Sequence, residues 1–396
     1  MPTEKQGSTR RGFLGAAGTG ALFAGFPSLI RPVAAANKEF TIGLFIPLSG
    51  PASLFGPSSQ ACAELAVDEL NKNGGILGQQ IKLIPTDAGG PPAETAKSAV
   101  RLMLEEKADL FIGMHDSATR EALVATIKSK VPYIYTPVYE GGECAFNVYC
   151  LGETPNQQAR PSIGWLANER KAKTYYMIGD DYVWPRKTNA ACKQYIADNG
   201  GRVVGEEYVP FGAPNKFEEV VTRIKAAKPD AVVITLVGAD NVNFNRTYAG
   251  FGLDKDITRV SFLLEENTLH GVGAESSQNL YSCMGYFAND PSPANTKFKA
   301  AYQAKFGAKA PQLNTLGVSC YAGVNCANAL VTKAGGTNAK KMMTASEGLT
   351  FDTAAGPATM RGRQVDKTMF LADCKGTEFE VIKTFPDVPS GSACKT

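Results

Sequence analysis

From Phe40 onward, short apolar runs alternate with amphipathic stretches, and this restricts the fold more than any other feature of the chain. Such alternation marks β/α units built around a mainly parallel sheet. The runs 40–46, 81–85, 110–113 and 131–135 lack polar alternation, as strands covered on both faces do, and are predicted to be strands. Between them, Cys62, Leu65, Ala66 and Leu70 recur at helical spacing, as do Ala96, Ala99, Val100, Met103 and Leu104. Asn73-Gly74-Gly75 stops the first of these helices. A second series follows, with strands predicted at 174–178, 202–208, 231–236 and 260–264 and helices near 185–198, 216–227 and 241–251. Two such sets predict an α/β protein of two similar lobes. Residues 357–361, 368–372 and 378–383 are expected to form an antiparallel ribbon, with a turn at Lys375-Gly376.

Residues 1–36 read as an export signal of the twin-arginine type. Ser8-Thr9-Arg10-Arg11-Gly12-Phe13-Leu14 precedes a Gly/Ala-diluted apolar run that ends in Ala34-Ala35-Ala36. The expected location is the periplasm, and the chain is not expected to be membrane-embedded after cleavage. This leader holds Lys5, Arg10, Arg11, Arg31 and Glu4, so the formal charge of +3 belongs to it and the remainder is neutral. A neutral remainder gives no footprint for nucleic acid. Its length favours two lobes.

An oxidising compartment makes pairing among the nine cysteines plausible. Cys144 with Cys150 and Cys374 with Cys394 are the expected pairs, although spacing alone leaves connectivity open. There is no Cys-x-x-Cys, and His115 and His270 are the only histidines, so neither a metal nor another cofactor is expected. Phosphate-loop, nucleophile-elbow and His-Glu-x-x-His motifs are missing from the sequence, which favours binding without catalysis.

In open α/β sheets ligands sit beyond the carboxyl ends of the strands, so the loops there carry the candidate site. They offer Ser53, then His115, Asp116, Ser117 and Thr119, then Tyr135, Pro137 and Tyr139 from the first lobe. The second lobe offers Tyr182, Trp184, Gly238, Asp240 and Glu265. Hydroxyls and free amides can hold a carbonyl or carboxylate, aromatics can wall a small pocket, and acids can accept from an ammonium or amide. Ser117 or Thr119 is also expected to cap the helix that follows.

Several stretches together resemble type I periplasmic substrate-binding proteins of ABC transporters over nearly all of residues 39 to 385. They are 42–50 (Ile-Gly-Leu-Phe-Ile-Pro-Leu-Ser-Gly), 69–78 (Glu-Leu-Asn-Lys-Asn-Gly-Gly-Ile-Leu-Gly) and Pro85-Thr86-Asp87. Tyr139-Glu140-Gly141, 154–158 (Thr-Pro-Asn-Gln-Gln), 181–186 (Asp-Tyr-Val-Trp-Pro-Arg) and 204–210 resemble the urea and short-amide receptor branch. The resemblance implies two lobes, 37–156 with 284–349 and 157–283 with 350–396, joined by three crossover segments near Asn156, Cys283 and Leu349; they are expected to close on a small-molecule ligand and deliver it to an ABC permease. It places ligand contacts at Ser117, the 135–139 loop, Tyr182 and Trp184. An amino-acid or organic-acid receptor, and an amide-sensing regulator, are the alternatives it leaves open. His115-Asp116 departs from the family pattern and points to a more polar solute, with His115 expected to make affinity pH-dependent.

Overall fold

Strand β1 (Phe40–Ile46) is buried at every residue, which explains why its sequence never alternates with polar side chains. It runs parallel to β2 (Ile81–Asp87) on one side and β3 (Leu110–Gly113) on the other. Helices α1 (Gly56–Lys72) and α2 (Pro92–Leu104) make the intervening crossovers, and α3 (Ser117–Ile127) leads to β4 (Tyr133–Tyr135). A short β5 (Val148–Cys150) completes a parallel sheet of order β2-β1-β3-β4-β5. The coordinates are a computed structural model describing residues 38–214 and 217–391, so the expected leader lies outside the described residues.

The chain then passes to a second sheet through α4 (Pro155–Glu169), which begins with a capping box between Thr154 and Gln157. Gln157 Nε2 donates to the carbonyls of Val365 and Val388, and Gln158 Nε2 to those of Phe262 and Cys283. The Thr-Pro-Asn-Gln-Gln stretch therefore ties this passage to four neighbouring segments. Four β/α steps follow: β6 (Thr174–Asp180), α5 (Val183–Asp198), β7 (Arg202–Val209), α6 (Glu218–Ala227), β8 (Ala231–Thr235), α7 (Ala239–Gly250), β9 (Thr258–Ser261) and α8 (Glu266–Val272).

After β10 (Leu280–Met284), helices α9 (Pro293–Phe306), α10 (Thr315–Ala334) and α11 (Ala339–Ala345) intervene before the ribbon. α10 packs along α1, returning the chain to the first lobe. The ribbon is β11 (Leu349–Thr353), β12 (Gly356–Arg361), β13 (Gln364–Lys375) and β14 (Glu378–Val388). β13 pairs antiparallel with β10, so the ribbon extends the second sheet, whose order is β11-β12-β13-β10-β9-β8-β6-β7. Among the described helices none is long and apolar enough to cross a membrane.

The cysteine pairs differ from expectation. Cys144 is disulfide-bonded, but Cys150 and Cys374 are both free thiols, so neither the 144–150 nor the 374–394 pair forms. Cys150 is committed to β5 and its side chain is fully buried in the first core. Cys374 lies on β13, inside the core of the second sheet.

Candidate functional site

Loops at the carboxyl ends of β1, β3 and β4 face loops after β6, β7, β8 and β9 across a cleft. Between them lies a cavity of about 50 Å³. The first lobe lines it with His115, Asp116, Ser117, Tyr135 and Pro137, all named from sequence, and with Pro51, Phe55 and Met114. The second lobe contributes Tyr182, Phe211, Val237 and Leu263, and α10 adds Leu316. Most of the surface is thus apolar, with polar groups gathered at the start of α3.

That start is built by Asp116, not by the two hydroxyl residues expected to cap it. Asp116 Oδ1 accepts from Thr119 N at 2.9 Å, and Oδ2 accepts from Thr119 Oγ1 at 2.7 Å. Asp116 is the N-cap because its side chain reaches the third amide of the helix, which leaves Thr119 buried and turned away from the cavity. The amides of Ser117 and Ala118 have no partner within the helix and sit at the positive end of its dipole.

Behind this turn lies a buried charge cluster. Ser117 Oγ donates to Glu140 Oε2 at 2.7 Å, and Arg120 Nη2 donates to Glu140 Oε1 at 2.7 Å. Arg120 Nε donates to Glu143 Oε2 at 3.0 Å, and its guanidinium lies near the rings of Tyr135 and Tyr139. Burial alone would push the Glu140 carboxyl up; the Arg120 and Ser117 hydrogen bonds outweigh it and hold the group below the ordinary carboxylate range. Sequence reading missed Arg120 and Glu143. Arg120 falls three residues after Ser117 on α3, a spacing that places both on one helix face.

His115 is not the pH-responsive group expected. Its Nε2 is 2.8 Å from Tyr133 Oη, its Nδ1 is 3.0 Å from the Asp116 carbonyl, and the ring is buried. Burial pushes its pKa down to about 4, against an opposing pull from Asp116, so the ring is neutral at physiological pH. Tyr135 Oη donates to the His115 carbonyl at 2.6 Å, fixing the loop from the cavity side.

The other residues named from sequence stand behind or beside the cavity. Tyr139 is fully buried and its hydroxyl donates to Gln364 of the ribbon. Trp184 is buried behind Tyr182, which in turn stacks against Phe211 at 5.0 Å. Glu265 caps α8, accepting from Thr268 N at 2.7 Å and Asn267 N at 2.9 Å. Asp240 is buried beside Asp180, whose carboxyl is pushed well up by burial and by that neighbour. Ser53 is exposed, and Gly238 precedes α7 with φ of +53°. Among the described residues no cluster of three His, Cys, Asp or Glu side chains could hold a metal ion.

Residues 39–378 match the family model for periplasmic binding proteins. A Leu/Ile/Val-binding protein, BraC3, of Rhizobium johnstonii is 27% identical over 202 residues, covering 50% of this chain and 54% of that protein. Leu/Ile/Val-binding protein homolog 3 of Brucella melitensis is 26% identical, covering 52% and 57%. The chain thus spans about half the length of these curated relatives. Among solved structures, a solute binding protein of an ABC transporter from Rhodopseudomonas palustris, in complex with 3,4-dihydroxybenzoic acid, superposes with a TM-score of 0.79 at 23% identity. That superposition covers 89% of this chain and 99% of the other. LivJ from Streptococcus pneumoniae in complex with isoleucine gives 0.76 at 22%, covering 88% and 100%.

Proposed function

The chain belongs to the periplasmic binding protein family, and from that premise we propose that it is an exported receptor for a small amino acid with an apolar side chain. It would hand this ligand to an ABC permease. The observation that carries the reading is the pairing, on one otherwise apolar cavity, of the Asp116 carboxylate with the first-turn amides of α3. A zwitterion satisfies both: its carboxylate meets the amides and its ammonium meets Asp116, with Tyr182 of the second lobe lining the same cavity from across the cleft. Its side chain would rest among Phe55, Met114, Phe211, Val237 and Leu263. The role given to Glu265 in sequence thereby passes to Asp116.

A urea or short-amide ligand, implied by the motif resemblance, is less well matched, because so apolar a lining leaves most of its hydrogen-bonding groups without partners. An aromatic acid is the second reading, favoured by the Tyr182–Phe211 stack. It would bring a carboxylate near Asp116 with no cation facing it, since Arg120 is committed to Glu140 and Glu143. In this reading the three passages between the sheets form the hinge, the lobes are 37–156 with 284–349 and 157–283 with 350–396, residues 1–36 are the export signal, and no bond is made or broken.

Thermal-shift measurements against leucine, valine, alanine, benzoate, urea and acetamide test the proposal. The amino acids are expected to raise the melting temperature and urea at the same concentration is not. Stabilisation by benzoate or acetamide with silence toward every amino acid would overturn it.

A further inference from the structure

Pro51 sits on the loop after β1, and that loop is unusually firmly held. Asp87 Oδ1 accepts from the amides of Leu48 at 3.0 Å, Ser49 at 3.2 Å and Gly89 at 2.9 Å, while Oδ2 accepts from Ser49 Oγ at 2.6 Å. Gly50 and Gly89 lock the same turn, for a methyl on Gly50 would stand 2.1 Å from the Gly89 carbonyl oxygen. Across the cleft, two glycines of the second lobe receive Pro51. A Cβ on Gly212 would lie 3.0 Å from Pro51 Cγ; one on Gly238 would lie 2.9 Å from the Pro51 carbonyl oxygen and 3.0 Å from Leu54 Cδ2. Both glycines have positive φ, +77° and +53°. Beside this contact Asn267 Nδ2 donates to the Leu54 carbonyl at 3.3 Å.

The Pro51 side of the contact has little room to give, and the glycine side has no room for a methyl. Apolar atoms rest at about 3.5–4.0 Å from one another, and the loop bearing Pro51 is tied down by the Asp87 network. The contact also adjoins the ligand cavity, because Pro51, Phe211 and Val237 all line it. We propose that Pro51, seated between Gly212 and Gly238, is a hard stop for cleft closure that sets the smallest volume the closed cleft encloses and hence the smallest side chain it grips fully. This rests on the receptor reading above and adds to it the residues that limit ligand size.

The stop can be tested without a ligand. Nitroxides attached at exposed Lys72 and Gln194 (K72C, Q194C) report the shortest separation that the lobes reach, while the free cysteines of the described chain are buried. Gly212→Ala is expected to lengthen that separation by about 1 Å or more, and Pro51→Gly in the same chain to restore it. Restoration separates a steric effect from backbone strain at the glycine, which Pro51→Gly leaves in place. Unchanged distances in Gly212→Ala would overturn the stop. Ligand size is read by thermal shift with glycine, alanine, valine, leucine and phenylalanine: Gly212→Ala, which holds the lobes apart without itself lining the cavity, should move the strongest stabilisation to a larger member. An unchanged preference overturns the size limit. If no amino acid shifts the wild-type protein, the ligand reading and its size limit both fall, and the nitroxide distances still decide whether Pro51 stops closure.

Discussion

Ser117 Oγ donates to Glu140 Oε2 at 2.7 Å, and this bond ties the helix turn facing the cavity to a carboxylate with no exposed side-chain surface. Glu140 is also held by Arg120 at 2.7 Å and is approached across the cleft by Lys187 of α5, at 4.0 Å. One buried acid thus links the cavity-facing turn, the core beneath it and the opposite lobe.

Breaking that link from the cation side should be costly. Arg120→Ala leaves Glu140 and Glu143 without their buried partner, and removing one member of a buried pair typically costs about 3–5 kcal/mol. Guanidinium denaturation should show a loss of that order. Arg120→Ala combined with Glu140→Gln should recover part of it, since the stranded charge is then gone; equal losses in the two variants would mean that the charge is not the cause.

Lys187 should matter much less. Its side chain is 60% exposed and its partners Glu121 and Glu140 stand at 3.9 and 4.0 Å, so water and salt screen the attraction. Lys187→Met is expected to change leucine affinity by less than about fivefold, within the ~1 kcal/mol of exposed pairs, and the difference should vanish in high salt. Calorimetric titration at two ionic strengths checks this.

His115 carries a pH dependence opposite in role to the one its position in a ligand loop suggests. The folded pKa, near 4, is below the ordinary value of 6.5. The unfolded chain therefore binds more protons between these limits, and stability falls as pH drops through that window. The group contributes fully above about pH 6.5 and loses on the order of 3 kcal/mol by pH 4. Denaturation midpoints between pH 4 and 8 should slope more steeply in the wild type than in His115→Gln, whereas amino-acid affinity between pH 6 and 8 should stay flat in both.

Much of this was legible in the chain because it is written in local pattern. Buried parallel strands such as β1 and β8 announce themselves as unbroken apolar runs, and six residues named at or just beyond strand ends, His115, Asp116, Ser117, Tyr135, Pro137 and Tyr182, line the cavity. What was hidden depends on distant partners. β5 is only three residues long, too short for periodicity to register. Helix α4 is rich in glutamine and contains Pro161, so its pattern is weak, and its purpose becomes clear only when Gln157 and Gln158 meet carbonyls some hundred residues or more away. Asp116 against Thr119 as the helix cap turns on which side chain reaches back to an amide. Likewise Phe211 and Leu263 are ordinary apolar residues in sequence and become cavity wall only through the placement of β7 and β9.

The cavity wall itself gives the last prediction. Tyr182 is partly exposed, stacks on Phe211 at 5.0 Å and lies 6.3 Å from Trp184, and it lines the cavity while Trp184 supports it from behind. Tyr182→Ala removes a ring of the cavity wall but leaves the buried Trp184 core standing, so folding should survive. Trp184→Ala empties a fully buried site, and large-to-small changes of this kind cost about 3–5 kcal/mol. The two variants should therefore separate: Tyr182→Ala should lose the leucine-induced rise in melting temperature while keeping most of its ligand-free value, and Trp184→Ala should melt markedly earlier with or without leucine. A full leucine response in Tyr182→Ala would place the ligand elsewhere in the cleft.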